Sequence, residues 1–313
     1  MATIIGTRSP LFYRQVAGGL PAIINASAFT GNVFFVDSAV GADTAGFGTT
    51  PDAPFDTIDF AVGQCTANQG DKIFVLPGHV ESIANATALA IDVAGIEIIG
   101  LGKGTSRPTI TFSAAGSNIP ITVANVKMSN FLLLGTAGVD VTSAITVTGA
   151  DCELTDIECQ ESGATVQFIA MITLGTGSAR CRIIRPIHRG HASGDANANA
   201  ITCAVASDGV YIEDPDFDGL YSNGAIYNVT LAMTNLTVKG GHLRNRHATR
   251  DSGVSVVATT TGQLLSLRIR TATNDADGFN LAIVAAAMQV YDPLVVNADG
   301  ERGGAWGTAS AAA

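Results

Sequence analysis

One pattern constrains this chain more than any other. A short alternating apolar pair recurs seven times: Ile91-Asp-Val93, Ile121-Thr-Val123, Ile145-Thr-Val147, Ile172-Thr-Leu174, Ile201-Thr-Cys203, Tyr227-Asn-Val229 and Val254-Ser-Val256, with starts 24 to 30 residues apart. After each comes a small polar or glycine turn and a second pair: Ile96/Ile98, Val126/Met128, Cys152/Leu154, Cys181/Ile183, Val210/Ile212, Leu236/Val238 and Leu267/Ile269. In the central repeats a third apolar residue follows, namely Phe131, Ile157, Ile187, Phe217 and Leu243. Strict alternation sends one face of a strand inward and the other toward solvent. A unit made only of short strands cannot bury its inner face alone, so the copies must stack. The expected fold is all-β, a single-stranded parallel β-helix (solenoid). Leucine-rich repeats would need a helix or an asparagine ladder in each unit. Propeller blades would need four strands and a longer period, and the strands of an immunoglobulin-like sandwich would not recur in register.

The segment before the repeats has a different order. In FFVDSAVGADTAGFGTTPDAPFDTIDFAV (34–62) a strand-like run gives way to a glycine-rich polar loop and then to an amphipathic stretch. Pro54 suits the first turn of a helix over 54–65, with Asp52 as its cap. Ile58, Ala61, Val62 and Cys65 then share one side. A β-helix has two open ends whose unpaired backbone groups recruit foreign strands, so this capping α-helix is expected to act as an N-terminal lid. The expected division is an N-terminal arm (1–31), the β-helix (32–270) with its cap helix, and a C-terminal capping or docking segment with a tail (271–313).

These residues also carry a resemblance. The order FFVDSAVGAD, GTTPDAPFDTIDFAV and GDKIFVLPGHV is similar to the N-terminal signature of the pectate-lyase-like superfamily, whose fold is a right-handed parallel β-helix. In that family a "VD…G.D" strand and loop, a "PF.TI..A" helix and a "GD.I.V.PG.Y" strand open the solenoid. His79 and Val80 depart from the last motif, standing where the family usually has a small residue and an aromatic. The resemblance is close over residues 32–83 and loose through about 270. It implies the fold, not an activity, because the scaffold hosts lyases, hydrolases, epimerases and proteins without catalysis.

Composition removes several classes of function. The net charge is -10 and the sequence pI is near 4.8, with 17 Lys and Arg in 313 residues. A binder of phosphate backbones needs the opposite balance, so no nucleic-acid partner is expected. The five cysteines are odd in number and lack zinc spacing, and are expected to be buried free thiols of a protein made in a reducing cytoplasm. MATIIGTRSPLFYRQ lacks the layout of a secretion signal. LAIVAAAMQV, the longest apolar stretch near the end, is too short to cross a bilayer, so no membrane association is expected.

Candidate chemistry is sparse. If Ile157, Ile187, Phe217 and Leu243 form one inward column, Glu158, His188, Asp218 and Arg244 form the adjacent outward one, which His191, Arg246 and His247 extend. Acid, imidazole and guanidinium together can do acid–base work or hold an acidic sugar, but a ladder of opposite charges also stabilises a sheet face, and the structural reading is favoured. Calcium-dependent polysaccharide lyases of the resembled fold use clustered acids. Here only EDPDFDG invites that comparison, making Asp214, Asp216 and Asp218 a weak alternative metal set whose spacing matches no calcium loop. GLGKGTS (100–106) lacks the GxxxxGK[ST] spacing and reads as a turn. No cofactor is expected.

The favoured functional reading is a structural protein of a tailed-phage virion, a head decoration, because the chain is similar in style to the small Ala/Gly/Thr-rich β-helix proteins that phages carry on their particles. It would be a homo-oligomer, a trimer by preference, made in the host cytoplasm and placed on the particle surface. Its partner would be the major capsid protein or another virion protein. Leu11, Tyr13, Arg14 and Trp306 in the two terminal segments are the expected interface anchors. Two alternatives stay open: a tail-spike polysaccharide depolymerase (lyase or hydrolase), and a non-catalytic module that binds a surface glycan.

Overall fold

A computed structural model describes residues 31–272, apart from 137, 139, 194–196, 229, 230, 249–251 and 258, together with 283, 284, 287–296, 302 and 303. The chain is a parallel β-solenoid, in which each coil contributes short strands to three ladders. The first ladder runs from Val33–Val36 through Lys72–Val75, Glu97–Gly100, Arg182–Ile184, Tyr211–Glu213, Leu236–Lys239 and Gly262–Leu265 to Met288–Tyr291. The second starts at Val80–Ile83 and Thr109–Phe112 and continues with Ile187–Arg189, Asp216–Gly219, His242–Asn245, Arg268–Thr271 and Leu294–Val296. The long strands Lys127–Gly135 and Glu153–Gln160 run through both ladders and join them into one sheet. The third ladder is a separate sheet from Ile119–Ile121 to Ile283–Val284.

Each ladder places one apolar column inside. In the first it is Phe34, Ile73, Ile98, Met128, Leu154, Ile183, Ile212, Val238 and Leu264, all buried. In the third, Ile145, Ile172, Ile201, Ile226 and Val254 stack. Two registers there differ from the expected alignment. Ile119, not Ile121, pairs with Ile145, and Ile121 stacks on Val147 instead. That slip of two residues keeps both isoleucines inside. Tyr227 pairs with Thr202 while Ile226 takes the inner place, a slip of one that turns the tyrosine to the other face.

Between the first and second ladders nearly every coil bends at a residue with positive φ: Asn130, Asp156, Arg185, Asp214, Gly240, Ser266 and Asp292. This is why polar turn formers recur there, since Asn and Asp tolerate the left-handed region better than other side chains. The predicted helix is present but shorter, Ile58–Gln64, and its cap is Thr57, whose hydroxyl accepts from the Phe60 amide at 3.3 Å. Asp43, not Asp52, supports its start. One Asp43 oxygen accepts from the Asp56 and Thr57 amides at 2.9 and 3.1 Å, and the other from the Thr57 hydroxyl at 2.7 Å. Ile58, Ala61 and Val62 are buried as expected. Asp43 of the opening motif is therefore a latch between loop and helix.

Candidate functional site

The outward ladder expected from Glu158, His188, Asp218 and Arg244 does not form as one column. Glu158 pairs with Ile187, and Cys159 with His188, which pairs in turn with Phe217. His188 thus lies on the inner face, with a relative exposure of 0%, while Ile187 is only half-buried and points outward. A one-residue slip moves a side chain across the sheet. The cue that locates it is a constant five-residue step from the inner residue of the first ladder to that of the second: 128 to 133, 154 to 159, 183 to 188, 212 to 217 and 238 to 243. Apolar character alone selects Ile187 and misses this step.

His188 belongs to a buried polar group that the sequence does not advertise. Its Nδ1 is 2.7 Å from the Tyr221 hydroxyl, and its Nε2 faces Glu161 Oε1 at 3.4 Å. Glu161 also accepts from the amides of Phe168 (3.1 Å) and His191 (2.7 Å), and from the Asn197 side-chain amide. Burial pushes the Glu161 carboxyl up, but His188 and the two amides outweigh it and hold the group below the usual carboxylate range. Burial raises the Tyr221 phenol well above its ordinary value, so it stays protonated. A second internal pair is His79 and Glu81, of which Glu81 lies in the same inner column four coils earlier. Glu81 accepts from the Ile58 amide at 3.1 Å and faces His79 Nε2 at 3.3 Å. Both groups tie turns to strands from inside the solenoid.

The remaining nominated residues are on the surface and engaged. Glu158 accepts from Arg107 at 2.6 Å and from Gln160. Burial raises its carboxyl, but Gln160 and Arg107 reverse that and lower it. Asp216 holds Arg189, and Asp218 holds both Arg244 (3.1 Å) and Arg246. Arg246 extends further and donates to the carbonyls of Gly190 and His191 at 2.8 and 3.1 Å. The His191 ring bonds locally to Ser193, and the His247 amide donates to Asn245. Asp214 occupies one of the positive-φ bends. Among the described residues no group of three or more His, Cys, Asp or Glu side chains could hold a metal ion, and Asp216 and Asp218 meet guanidinium groups instead. Leu11, Tyr13, Arg14 and Trp306 lie outside the described residues.

The second ladder also carries a groove of about 570 Å³ toward its C-terminal end, lined by Arg189, Asp216, Asp218, His242, Arg244, Arg268 and Arg270 over a floor of Phe217, Leu243 and Ile269. No cysteine lines it. The described cysteines are unbridged, and burial pushes the Cys203 thiol to about 12 and the Cys159 thiol well above its ordinary value. Such thiols are protonated and inert at neutral pH. No described helix is long and apolar enough to cross a membrane. Compared with protein-family models, curated proteins and solved structures, the chain has no significant match.

Proposed function

We propose that this chain is a structural component of a tailed-phage virion, a head decoration protein that attaches to the major capsid protein or another virion protein. In this reading the solenoid is right-handed, the helix Ile58–Gln64 is the lid of its first coil, and closed trimeric symmetry lets the flat flanks of three copies cover one another. One observation carries the non-catalytic part of the proposal. Of the carboxylates nominated for chemistry, Glu158, Asp216 and Asp218 are each held by a cation one or two coils away, as are Asp151 by Arg180 and Asp156 by Arg185, each of these last two through two hydrogen bonds of 2.6–2.7 Å. His188, the nominated imidazole, is sealed on the opposite face from Glu158, Asp218 and Arg244. A stiff rod laced in this way suits display on a particle. Co-purification with assembled particles tests it. Many copies per particle are expected, whereas a handful would indicate a spike. Deleting residues 1–31 is expected to leave the solenoid folded and abolish attachment. Decoration at full occupancy by the truncated chain would overturn the role of that arm.

A further inference from the structure

Like charges stack in the groove of the second ladder. Arg244 pairs directly with Arg270 in adjacent coils, and His242 with Arg268 beside them, so the two arginine backbones are about 4.8 Å apart. Facing cations in neighbouring strands repel and cost stability. The first ladder avoids this among its described residues. The outward column of the first ladder alternates Lys72, Glu97, Lys127, Glu153 and Arg182, then places Tyr211 beneath Arg182 with the guanidinium 5.5 Å from the ring centre. In a chain of net charge -10, four arginines around one groove, against two aspartates, are a local reversal.

The two aspartates do not neutralise it. Asp216 engages Arg189, and Asp218 is shared by Arg244 and Arg246. Among the described residues, Arg268 and Arg270 are exposed and no carboxylate pairs with either. A second hollow of about 200 Å³ adjoins the groove and is lined by the same Arg244 and Arg270 together with Arg246. Arg244 and Arg270 therefore stand between two hollows, with forks available to each.

We infer that this groove binds a ligand bearing tetrahedral oxyanions, phosphate or sulfate groups, held chiefly by Arg268 and Arg270 with His242 and Arg244 beside them. This site stands independently of the virion reading. A guanidinium presents a planar fork that matches such an oxyanion with two parallel hydrogen bonds. A carboxylate is satisfied by one fork, as Asp151 is by Arg180. A phosphate or sulfate group has three outward oxygens and accepts from both stacked arginines and the imidazole together. Nucleic acid is the poorer occupant, because sequence-tolerant binding of single strands uses exposed aromatic platforms, and the groove has no exposed Phe, Tyr or Trp among its lining residues, its Phe217 being buried.

Isothermal titration of the full chain with inorganic pyrophosphate and with a sulfated disaccharide tests this, with citrate as a carboxylate control. The expected result is saturable 1:1 binding of at least one tetrahedral oxyanion, tighter than citrate, and the stronger of the two identifies the source. The double variant Arg268→Ala/Arg270→Ala should weaken it at least about tenfold. Arg270→Lys keeps the charge, loses the fork and should fall between. Arg182→Ala, in the first ladder, should bind as the parent does. No binding to either oxyanion, equal or tighter binding of citrate, or undiminished binding by the double variant would each overturn the inference.

Discussion

Glu161 shows how a single buried side chain ties the solenoid interior to pH. Its carboxylate is surrounded by donors (the amides of Phe168 and His191, the Asn197 side chain, and His188 at 3.4 Å). These neighbours favour the charged form over the burial that opposes it, and the net effect lowers the group below its ordinary 4.5. A carboxyl depressed in the folded state contributes stability above its ordinary value and loses it as pH falls through the folded value. The expected outcome is that the urea midpoint of the parent falls below about pH 4.5, where Glu161→Gln, already weaker at neutral pH, falls less. The two curves should converge in acid. Curves that stay parallel from neutral pH into acid would show that Glu161 is not the coupled group. None of this was legible beforehand, because His188 and Glu161 sit at positions that an apolar alternation skips. The five-residue step that places His188 inside becomes informative only once position, not hydrophobicity, is followed along the repeat.

At the scale of elements, the recurring unit is strand, left-handed bend, strand. Ser266 takes this bend at φ 50°, exposed, where Gly240 serves one coil earlier at φ 66°. The left-handed region costs a side chain about 1–2 kcal/mol, and glycine escapes that cost while losing more freedom on folding. Ser266→Gly is therefore expected to leave stability unchanged or raise it by up to about 1 kcal/mol. Ser266→Val, with its branched Cβ, should lower it by at least about 1 kcal/mol. Thermal unfolding of the three proteins checks the order, and a Val variant as stable as the Gly one would remove the bend as a cause of the repeat. The strands themselves were readable, since period-two alternation and a spacing of 24 to 30 residues allow few folds. Register was less so. Ile119 and Ile121 both fit an inner column, and only the pairing with Ile145 chooses between them. The helix was found, but its start was displaced from Pro54 to Ile58 because Asp43, fourteen residues before Thr57 in the chain, supplies the latch.

For the whole molecule, stacking makes stability nearly one-dimensional, because each coil packs mainly on those above and below it, with few bonds such as Arg107–Glu158 reaching one coil further. Where a defect falls should then matter as much as its chemistry. Leu154 lies mid-stack between Met128 and Ile183 and is 2% exposed, while Val295 lies on Ile269 near the last described strands and is 1% exposed. Replacing either by Asp buries a carboxylate without a cation among its inner-column neighbours, at a cost of several kcal/mol. At Leu154 that cost breaks two interfaces at once and divides the stack, so native-state hydrogen exchange should show lost protection on both sides of the coil. At Val295 it is confined to the terminal coils, and the strands Lys72–Val75 and Glu97–Gly100 should stay as protected as in the parent. If Val295→Asp also stripped protection from those distant strands, the chain would be folding as one cooperative globule, and a sum over neighbouring coils would be the wrong description of it.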